Sequence, residues 1–180
     1  MFNEFYGLNN SNEYDEEENF IDVALICENG HVINESMKMM PDLNSEYCIE
    51  CGKGTISACP SCKKEIEGTK YLEGVTGGFK MKFPSYCKHC GQPYPWTQQK
   101  LIALEEVIEL MDELNESDKK NLKESAEIIS TDNPRTQVGI LKIKKVLGKV
   151  TKNMGDVALN IIKEVASETA LKYMKQQGMI

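Results

Sequence analysis

The pattern of apolar and polar residues changes near residue 97, and the part before it predicts short strands. Residues 20–27 form an apolar run rich in branched side chains, which is typical of a strand, and Asn29-Gly30 is a strong turn signal. Residues 79–83 alternate apolar and basic side chains with the period of two that a half-buried strand shows. Glycines shortly before this second run predict that it belongs to a hairpin.

After residue 97 the apolar positions recur at helical spacing. The stripe that defines the first helix consists of Leu101, Leu104, Ile108 and Met111. Thr97 is the predicted N-cap of this helix, and Trp96 is placed to pack on Leu101 as a hydrophobic staple. The helix is expected to end near Asn115.

Two further helix starts follow. Ser117 is the predicted cap of a second helix that ends near Ile129, with Asp118 close to the positive end of the helix dipole. The string Asp132-Asn133-Pro134 predicts another cap, with proline in the first helical turn.

The longest apolar stripe lies beyond Pro134. Its members, in alternating steps of three and four, are Ile140, Ile143, Leu147, Val150, Met154, Val157 and Ile161. Gly148 and Gly155 lie within the stripe, and glycine costs about 1 kcal/mol in a helix interior. Residues 134–177 therefore predict either one kinked helix or a hairpin of two helices.

The formal net charge of −7 is unevenly distributed. Residues 97–133 carry four bases and ten acids, whereas residues 134–180 carry nine bases and three acids, so the two blocks are expected to lie against each other. Residues 1–19 are acidic and lack the apolar density that stabilises a fold, which predicts a flexible tail. The alternative is a short segment whose aromatic residues dock on a partner or on the basic end of the chain.

Eight residues between 27 and 90 form four pairs with metal-ligand spacing. The pairs are Cys27-x3-His31, Cys48-x2-Cys51, Cys59-x2-Cys62 and Cys87-x2-Cys90. Together they use every cysteine in the chain, which makes a chance pattern improbable. A C-x2-C turn places two thiolates on one side of a tight loop, and two such loops complete one tetrahedral site.

The separations between the pairs favour a sequential grouping. Gaps of 16 and 24 residues suit hairpin arms, while the gap of 7 residues suits a connection between sites. Site 1 is then predicted to contain Cys27, His31, Cys48 and Cys51, and site 2 to contain Cys59, Cys62, Cys87 and Cys90. Two other groupings remain open: a cross-braced one joins the first pair to the third and the second to the fourth, and a nested one makes the middle pairs an inner site.

Thiolates with one imidazole in a tetrahedral array favour zinc, with iron in the all-thiolate site as the alternative. Four protein ligands leave no position for water or substrate, so two structural zinc ions per chain are expected. Such ions supply on the order of 10 kcal/mol of folding free energy per site, which a region with a small core needs. His89 could compete as a ligand, but its predicted place is a solvent-facing loop.

These features predict an α+β fold: tandem zinc ribbons, built from short antiparallel β-hairpins, followed by three or four amphipathic helices. The predicted organisation has three parts. They are an acidic tail at residues 1–19, a double zinc-ribbon domain at residues 20–96, and a helical domain for assembly or partner binding at residues 97–180.

Two strings of the ribbon region resemble an uncharacterised bacterial zinc-ribbon family. They are ICENGHVIN at residues 26–34 and CKHCGQPYPWT at residues 87–97, and NPRT at residues 133–136 resembles a point in the helical half of that family. The resemblance covers about residues 20–175. It implies a four-pair cysteine segment joined to a helical region in a bacterial cytosol, and it implies no particular function.

The sequence favours a protein-interaction or adaptor module. The apolar stripe within residues 137–177 offers a seam for a partner helix or for a second copy of the chain. The sequence has no phosphate-binding glycine loop, nucleophile elbow or separate carboxylate constellation, so no enzymatic activity is predicted.

Two alternative functions remain open. Nucleic-acid binding would use two basic clusters. The first combines three lysines with three aromatic residues: Lys70, Lys80 and Lys82 with Tyr71, Phe79 and Phe83. The second consists of lysines alone: Lys142, Lys144, Lys145, Lys149 and Lys152. Against it, the sequence pI is about 5.0, and phosphate contacts need concentrated positive charge. Membrane-surface attachment would use a basic amphipathic helix within residues 137–177, but this segment lacks Trp and Phe beyond Met154.

The expected compartment follows from the cysteines. The N-terminal residues lack the positive start and apolar stretch of a secretory signal. Seven cysteines without such a signal indicate metal-bound thiolates and not disulfides. We therefore expect a cytoplasmic protein.

Overall fold

The computed structural model describes residues 19–72 and 83–180. The predicted tail up to residue 18 and the predicted strand and hairpin over residues 73–82 lie outside this description. Within the described residues the α+β class is confirmed, because short antiparallel strands precede a set of helices.

The apolar run at residues 20–27 forms two strands that belong to different sheets. The described strands are β1 (Phe20–Val23), β2 (Leu25–Cys27), β3 (Val32–Asn34), β4 (Thr55–Ile56) and β5 (Glu67–Tyr71). β1 pairs with β5 in one antiparallel sheet, and β2 lies between β3 and β4 in the other. The chain changes sheets at Ala24, whose N–H donates to the carbonyl of Ile66 at 2.9 Å. One apolar run therefore connects the two sheets.

The ribbon half has its own small apolar core. Its buried members are Ala24, Ile26, Cys59, Ile66, Cys87, Tyr94 and Trp96. Two of them are cysteines of the predicted site 2, and the last two come from the start of the first helix. The metal region and the helical half are therefore joined by a shared core.

The described residues contain five helices, whereas three or four were predicted. They are α1 (Pro95–Glu109), α2 (Glu116–Ile129), α3 (Thr136–Leu147), α4 (Lys152–Val165) and α5 (Glu168–Gln176). None of the helices in the described part of the chain is both long and apolar enough to cross a membrane.

The first helix begins before Thr97, so the predicted cap at that residue is wrong. Tyr94 is extended and occupies the N-cap position, and Pro95 follows at the first helical position, where its fixed φ suits a helix start. Thr97 is buried in the first turn, and Trp96 stacks on Tyr94 with 4.6 Å between ring centroids. The helix ends at Glu109, several residues before the predicted end.

The next two predicted caps are each displaced by about two residues. Asn115, and not Ser117, caps α2, because its Oδ1 accepts the backbone N–H of Asp118 at 2.9 Å. Before α3, the Oδ1 of Asn133 accepts the N–H of Arg135 at 2.8 Å, so an Asx turn precedes the helix and delays its start.

Residues 134–177 form three helices, and neither predicted arrangement is correct. Gly148 ends α3, whereas Gly155 lies inside α4 without breaking it. The second break is at Ser167, whose Oγ accepts the N–H of Ala170 at 3.2 Å and caps α5.

The predicted apolar stripe is mostly internal packing. Ile140 and Ile143 are buried in the core of the helical half, together with side chains from all the other helices. Val157, in contrast, is 47% exposed. The helices pack chiefly as α2 on α3 and α1 on α4, with smaller contacts of α1 with α2 and of α3 with α5. This arrangement leaves little of the stripe for a partner.

The acidic and basic blocks meet across this packing, as the sequence predicts. Lys149 of the basic block contacts Asp118 of the acidic block at 2.6 Å, between the end of α3 and α2. A second ion pair joins α1 to α4 with the charges reversed, since Lys100 belongs to the acidic block and Glu164, 3.2 Å away, to the basic one. Each surface ion pair contributes about 0–1 kcal/mol, so these contacts align the helices more than they stabilise them.

Candidate metal centres

The eight predicted ligands come together as two groups of four. One group contains Cys27, His31, Cys48 and Cys51, and the other contains Cys59, Cys62, Cys87 and Cys90. Within each group every pair of candidate ligand atoms lies within 4.8 Å. This grouping corresponds to the sequential scheme and not to the cross-braced or nested ones. Each group could hold one metal ion.

The three C-x2-C pairs adopt one repeated loop structure. In each loop the N–H of the first cysteine donates to the carbonyl five residues later, at 2.8–2.9 Å: Cys48 to Lys53, Cys59 to Lys64 and Cys87 to Gln92. The carbonyl of that cysteine accepts the N–H four residues later at 2.8–2.9 Å. A β-bridge flanks each loop, at Tyr47–Gly54, Ala58–Glu65 and Tyr86–Pro93. The sequence thus builds the same thiolate-presenting turn three times.

A left-handed residue closes each of these loops. Gly52 and Gly91 have φ values of 69° and 72°, which glycine adopts without steric cost. The equivalent residue of the middle loop is Lys63, with φ 62°, the one non-glycine residue with positive φ in the described chain. The loop geometry is therefore maintained even where the side chain disfavours it.

The atoms of site 1 are spaced as a tetrahedral ion requires. A zinc ion with Zn–S of about 2.3 Å and Zn–N of about 2.0 Å holds two sulfurs about 3.8 Å apart, and a sulfur and a nitrogen about 3.5 Å apart. In site 1 the Sγ atoms of Cys27 and Cys51 are 3.8 Å apart. The Nδ1 of His31 lies 3.5 Å from the Sγ of both Cys27 and Cys48.

The imidazole of site 1 has an acidic neighbour that the sequence analysis missed. When Nδ1 of His31 binds a metal, the ring proton is on Nε2, and this nitrogen lies 3.5 Å from the carboxylate of Glu50. Glu50 lies between the two cysteines of the second pair. Carboxylates in this position fix the tautomer of a metal-binding histidine and raise its basicity.

Site 2 has the corresponding geometry with four sulfurs. The Sγ atoms of Cys59 and Cys90 are 3.7 Å apart, and those of Cys62 and Cys87 are 3.6 Å apart. Cys59 and Cys87 are buried, Cys62 is half-buried and Cys90 is exposed. His89, between the last two ligands, is exposed and belongs to neither group. The predicted place of His89 in a solvent-facing loop agrees with this structure.

The electrostatics of site 2 favour a bound cation. The backbone N–H of His89, followed by that of Cys90, lowers the pKa of the Cys87 thiol to about 6. The backbone N–H of Gln92 also lowers the pKa of Cys90, but burial and the neighbouring thiols outweigh it and raise that pKa to about 12. Four adjacent sulfurs cannot all ionise without a compensating positive charge. The donor set therefore fits a divalent metal ion.

Tyr94 is a second neighbour that spacing alone could not identify. Its ring is buried, and its hydroxyl interacts electrostatically with the nearby Cys87 sulfur. Burial, and then this contact, raises the pKa of Tyr94, so the group stays a hydrogen-bond donor. Because Tyr94 also precedes α1, it links site 2 directly to the helical half.

Replacing Tyr94 by phenylalanine is expected to weaken metal binding at site 2 about tenfold, because the interaction of the hydroxyl with the Cys87 sulfur is lost. The stacking on Trp96 remains possible, so the fold should be retained. Competition with a chromophoric chelator measures the affinity. Tyr47→Phe is the matched control, since Tyr47 directly precedes the metal pair at Cys48 but is exposed. Equal affinities for the two variants would contradict the role of Tyr94.

Comparison with known proteins gives one family. Residues 20–174 match the family described as an uncharacterized protein conserved in bacteria, DUF2321, so the match includes all eight candidate ligands and nearly all of the helical half. No curated protein and no solved structure matches the chain.

Proposed function

This chain belongs to DUF2321, a family of uncharacterised bacterial proteins, and we propose that it is a zinc-stabilised protein-interaction module. Two structural zinc ions hold the ribbon half in shape, and the molecule presents its surface to a second copy or to a protein partner. The observation that carries the proposal is that each metal group is complete, with four protein ligands and no place for a substrate.

Zinc is the ion that the donor sets favour. Site 1 offers three thiolates and an imidazole, and site 2 offers four thiolates, both of which are common sets for structural zinc. The sulfur spacings of 3.6–3.8 Å suit a tetrahedral ion with bonds of zinc–sulfur length. The free thiols of a metal-dependent fold require a reducing compartment, so the proposed location is the cytoplasm.

The proposed binding region within residues 137–177 is restricted to the side chains that the helical core leaves outside. Ile140 and Ile143 of the stripe are buried, and its other members except Val157 are half-buried against the core. Val157 is exposed, as are Val138 and Leu141 beside the stripe. Any seam for a partner therefore consists of the outer faces of α3 and α4, and not of the stripe as a whole.

Nucleic-acid binding through the second basic cluster receives less support. Within this cluster, Lys142, Lys144 and Lys149 donate to Asn121, Gln177 and Asp118 respectively, so part of its charge is used inside the molecule. The role that we propose for the chain is architectural and has no enzymatic step.

Metal analysis of the intact chain tests the zinc assignment. We expect two zinc ions per chain when the protein is purified without added metal. Chelation should then unfold the ribbon half, with re-addition of zinc restoring it. One ion per chain, or iron in place of zinc, would contradict the assignment directly, and an unchanged fold after complete chelation would contradict the structural role.

A further inference from the structure

The first ribbon carries an exposed apolar surface surrounded by acids. This surface, called here the ribbon patch, has the apolar side chains Met39, Met40, Leu43, Tyr47 and Ile49 and the carboxylates Asp42, Glu46 and Glu50. All of these residues are exposed, and residues 39–50 contain no basic residue. The patch occupies a single stretch of twelve residues around the second metal pair.

The backbone of the ribbon patch is held in place from beneath. The side-chain amide of the buried Asn34 donates to the carbonyl of Met40 and to the Oδ1 of Asn44, both at 2.8 Å. The carboxylate of Asp22, also buried, accepts the N–H groups of Lys38 and Met39 at 3.0 Å. The polar groups thus face the protein, and the apolar side chains face outwards.

Ile49 is the most unusual member of the patch. It lies between the metal ligands Cys48 and Cys51, and it is 97% exposed. The metal-bound loop restricts the backbone at this position, so a large aliphatic side chain at its tip has little backbone freedom to lose on binding. Such a pre-organised apolar anchor is suited to a contact with another molecule.

The outer face of α3 has the opposite charge. Arg135, Val138, Leu141 and Lys145 follow one another at helical spacing on its exposed side, and Val138 and Leu141 are 48% and 54% exposed. Residues 133–155 contain six bases and no acid. This α3 face therefore combines an apolar centre with a basic surround.

We propose that the ribbon patch of one chain binds the α3 face of a second copy. The two surfaces match in both respects, since each has exposed apolar side chains at its centre and the charges around them are of opposite sign. Both surfaces are exposed among the described residues, so neither is covered by residues 19–72 or 83–180 of its own chain. This inference rests on the proposed function, because the zinc of site 1 shapes the ribbon patch.

The contact joins two different surfaces, the ribbon patch of one chain and the α3 face of another. In a two-fold dimer the contact would form twice, once in each direction; in an open assembly each chain would repeat it with the next chain. The apolar members are few, so a weak association is expected, in the class of interfaces below about 1,200 Å². Charge attraction across the contact predicts that added salt weakens the association.

Sedimentation velocity of the full-length, zinc-loaded chain tests the proposal, from roughly 1 µM to roughly 500 µM protein. We expect the average mass to rise with concentration for the unmodified chain. Two charge reversals should each abolish this rise: Asp42→Lys with Glu46→Lys in the ribbon patch, and Arg135→Glu with Lys145→Glu on the α3 face. An equimolar mixture of the two variants should recover it, because each carries the complement of the other.

The controls separate this contact from other outcomes. Both variants must retain the zinc content of the unmodified chain. Glu50 is left unchanged because its carboxylate neighbours the metal-ligand candidate His31, and Asp42 and Glu46 are substituted instead. A zinc-loaded chain that stays monomeric at all concentrations, or variants whose mixture fails to associate, would overturn the contact and leave the structural zinc role intact. Loss of association on deletion of residues 1–18 would also overturn it, since the acidic tail would then be the occupant of the α3 face.

Discussion

Cys87→Ser is expected to reduce the zinc content from two ions to one and to unfold the part of the ribbon half around site 2, while site 1 keeps its ion. Structural zinc contributes on the order of 10 kcal/mol at such sites, which is comparable to the whole stability of a typical domain. Cys87 is also buried in the ribbon core, so its loss disturbs the packing around Trp96. Trp96 is the only tryptophan in the sequence, and its fluorescence should shift to the red.

The helical half supplies an internal reference for this experiment. The core formed by α1 to α5 contains no cysteine, so the circular dichroism at 222 nm should fall only slightly. His89→Ala is the matched control, because His89 lies between Cys87 and Cys90 but is exposed and outside both groups. A Cys87→Ser chain with two zinc ions and unchanged fluorescence would refute the assignment of Cys87 as a ligand.

The same measurement distinguishes the ways of pairing the ligands. In the sequential grouping Cys59 and Cys87 bind the same ion, so the double variant Cys59→Ser/Cys87→Ser should still hold one zinc. In the cross-braced and nested groupings these two cysteines belong to different sites, and the double variant should hold none. The number of zinc ions that the double variant binds thus tests the grouping by a chemical measurement.

The ligand pairs could be predicted from sequence because their geometry is local. A C-x2-C loop is closed by hydrogen bonds between residues at most five positions apart, so the spacing determines the turn. The sequential grouping followed from the lengths of the connecting segments. The spacing could not identify Glu50 and Tyr94 as neighbours of the two sites, because their contacts depend on how the loops and α1 are oriented.

The helix boundaries were less predictable, because several residues with good capping chemistry compete at each start. Asn115 and Ser117 both suit an N-cap, and in the structure it is Asn115 whose side chain accepts the N–H of Asp118. At α1 the burial of Trp96 in the ribbon core draws the helix start back to Pro95. The apolar stripe indicated burial correctly, but a periodic pattern cannot say whether an internal or an external surface covers it.

Among substitutions that leave the candidate metal ligands unchanged, Gly68→Ala should lower the stability of the fold most. A β-carbon at this position would lie 2.1 Å from the carbonyl oxygen of Glu35, and within 2.8 and 2.9 Å of backbone atoms of Val23 and Ala24. All three contacts are with main chain, which cannot rotate away. We expect a loss of about 3 kcal/mol or more in the stability of the ribbon half, since overpacking of this kind forces the backbone to shift.

The position of Gly68 explains why this cost should reach the metal sites. It lies in β5 against the peptide that joins β1 to β2, where the chain changes sheets before entering Cys27. Thermal unfolding followed by Trp96 fluorescence should show a midpoint lower by roughly 10 °C. Gly54→Ala is the matched control, because a β-carbon there meets nothing within 4 Å. If both variants melt together with the unmodified chain, the close packing of Gly68 does not hold the two sheets, and zinc alone maintains the ribbon half.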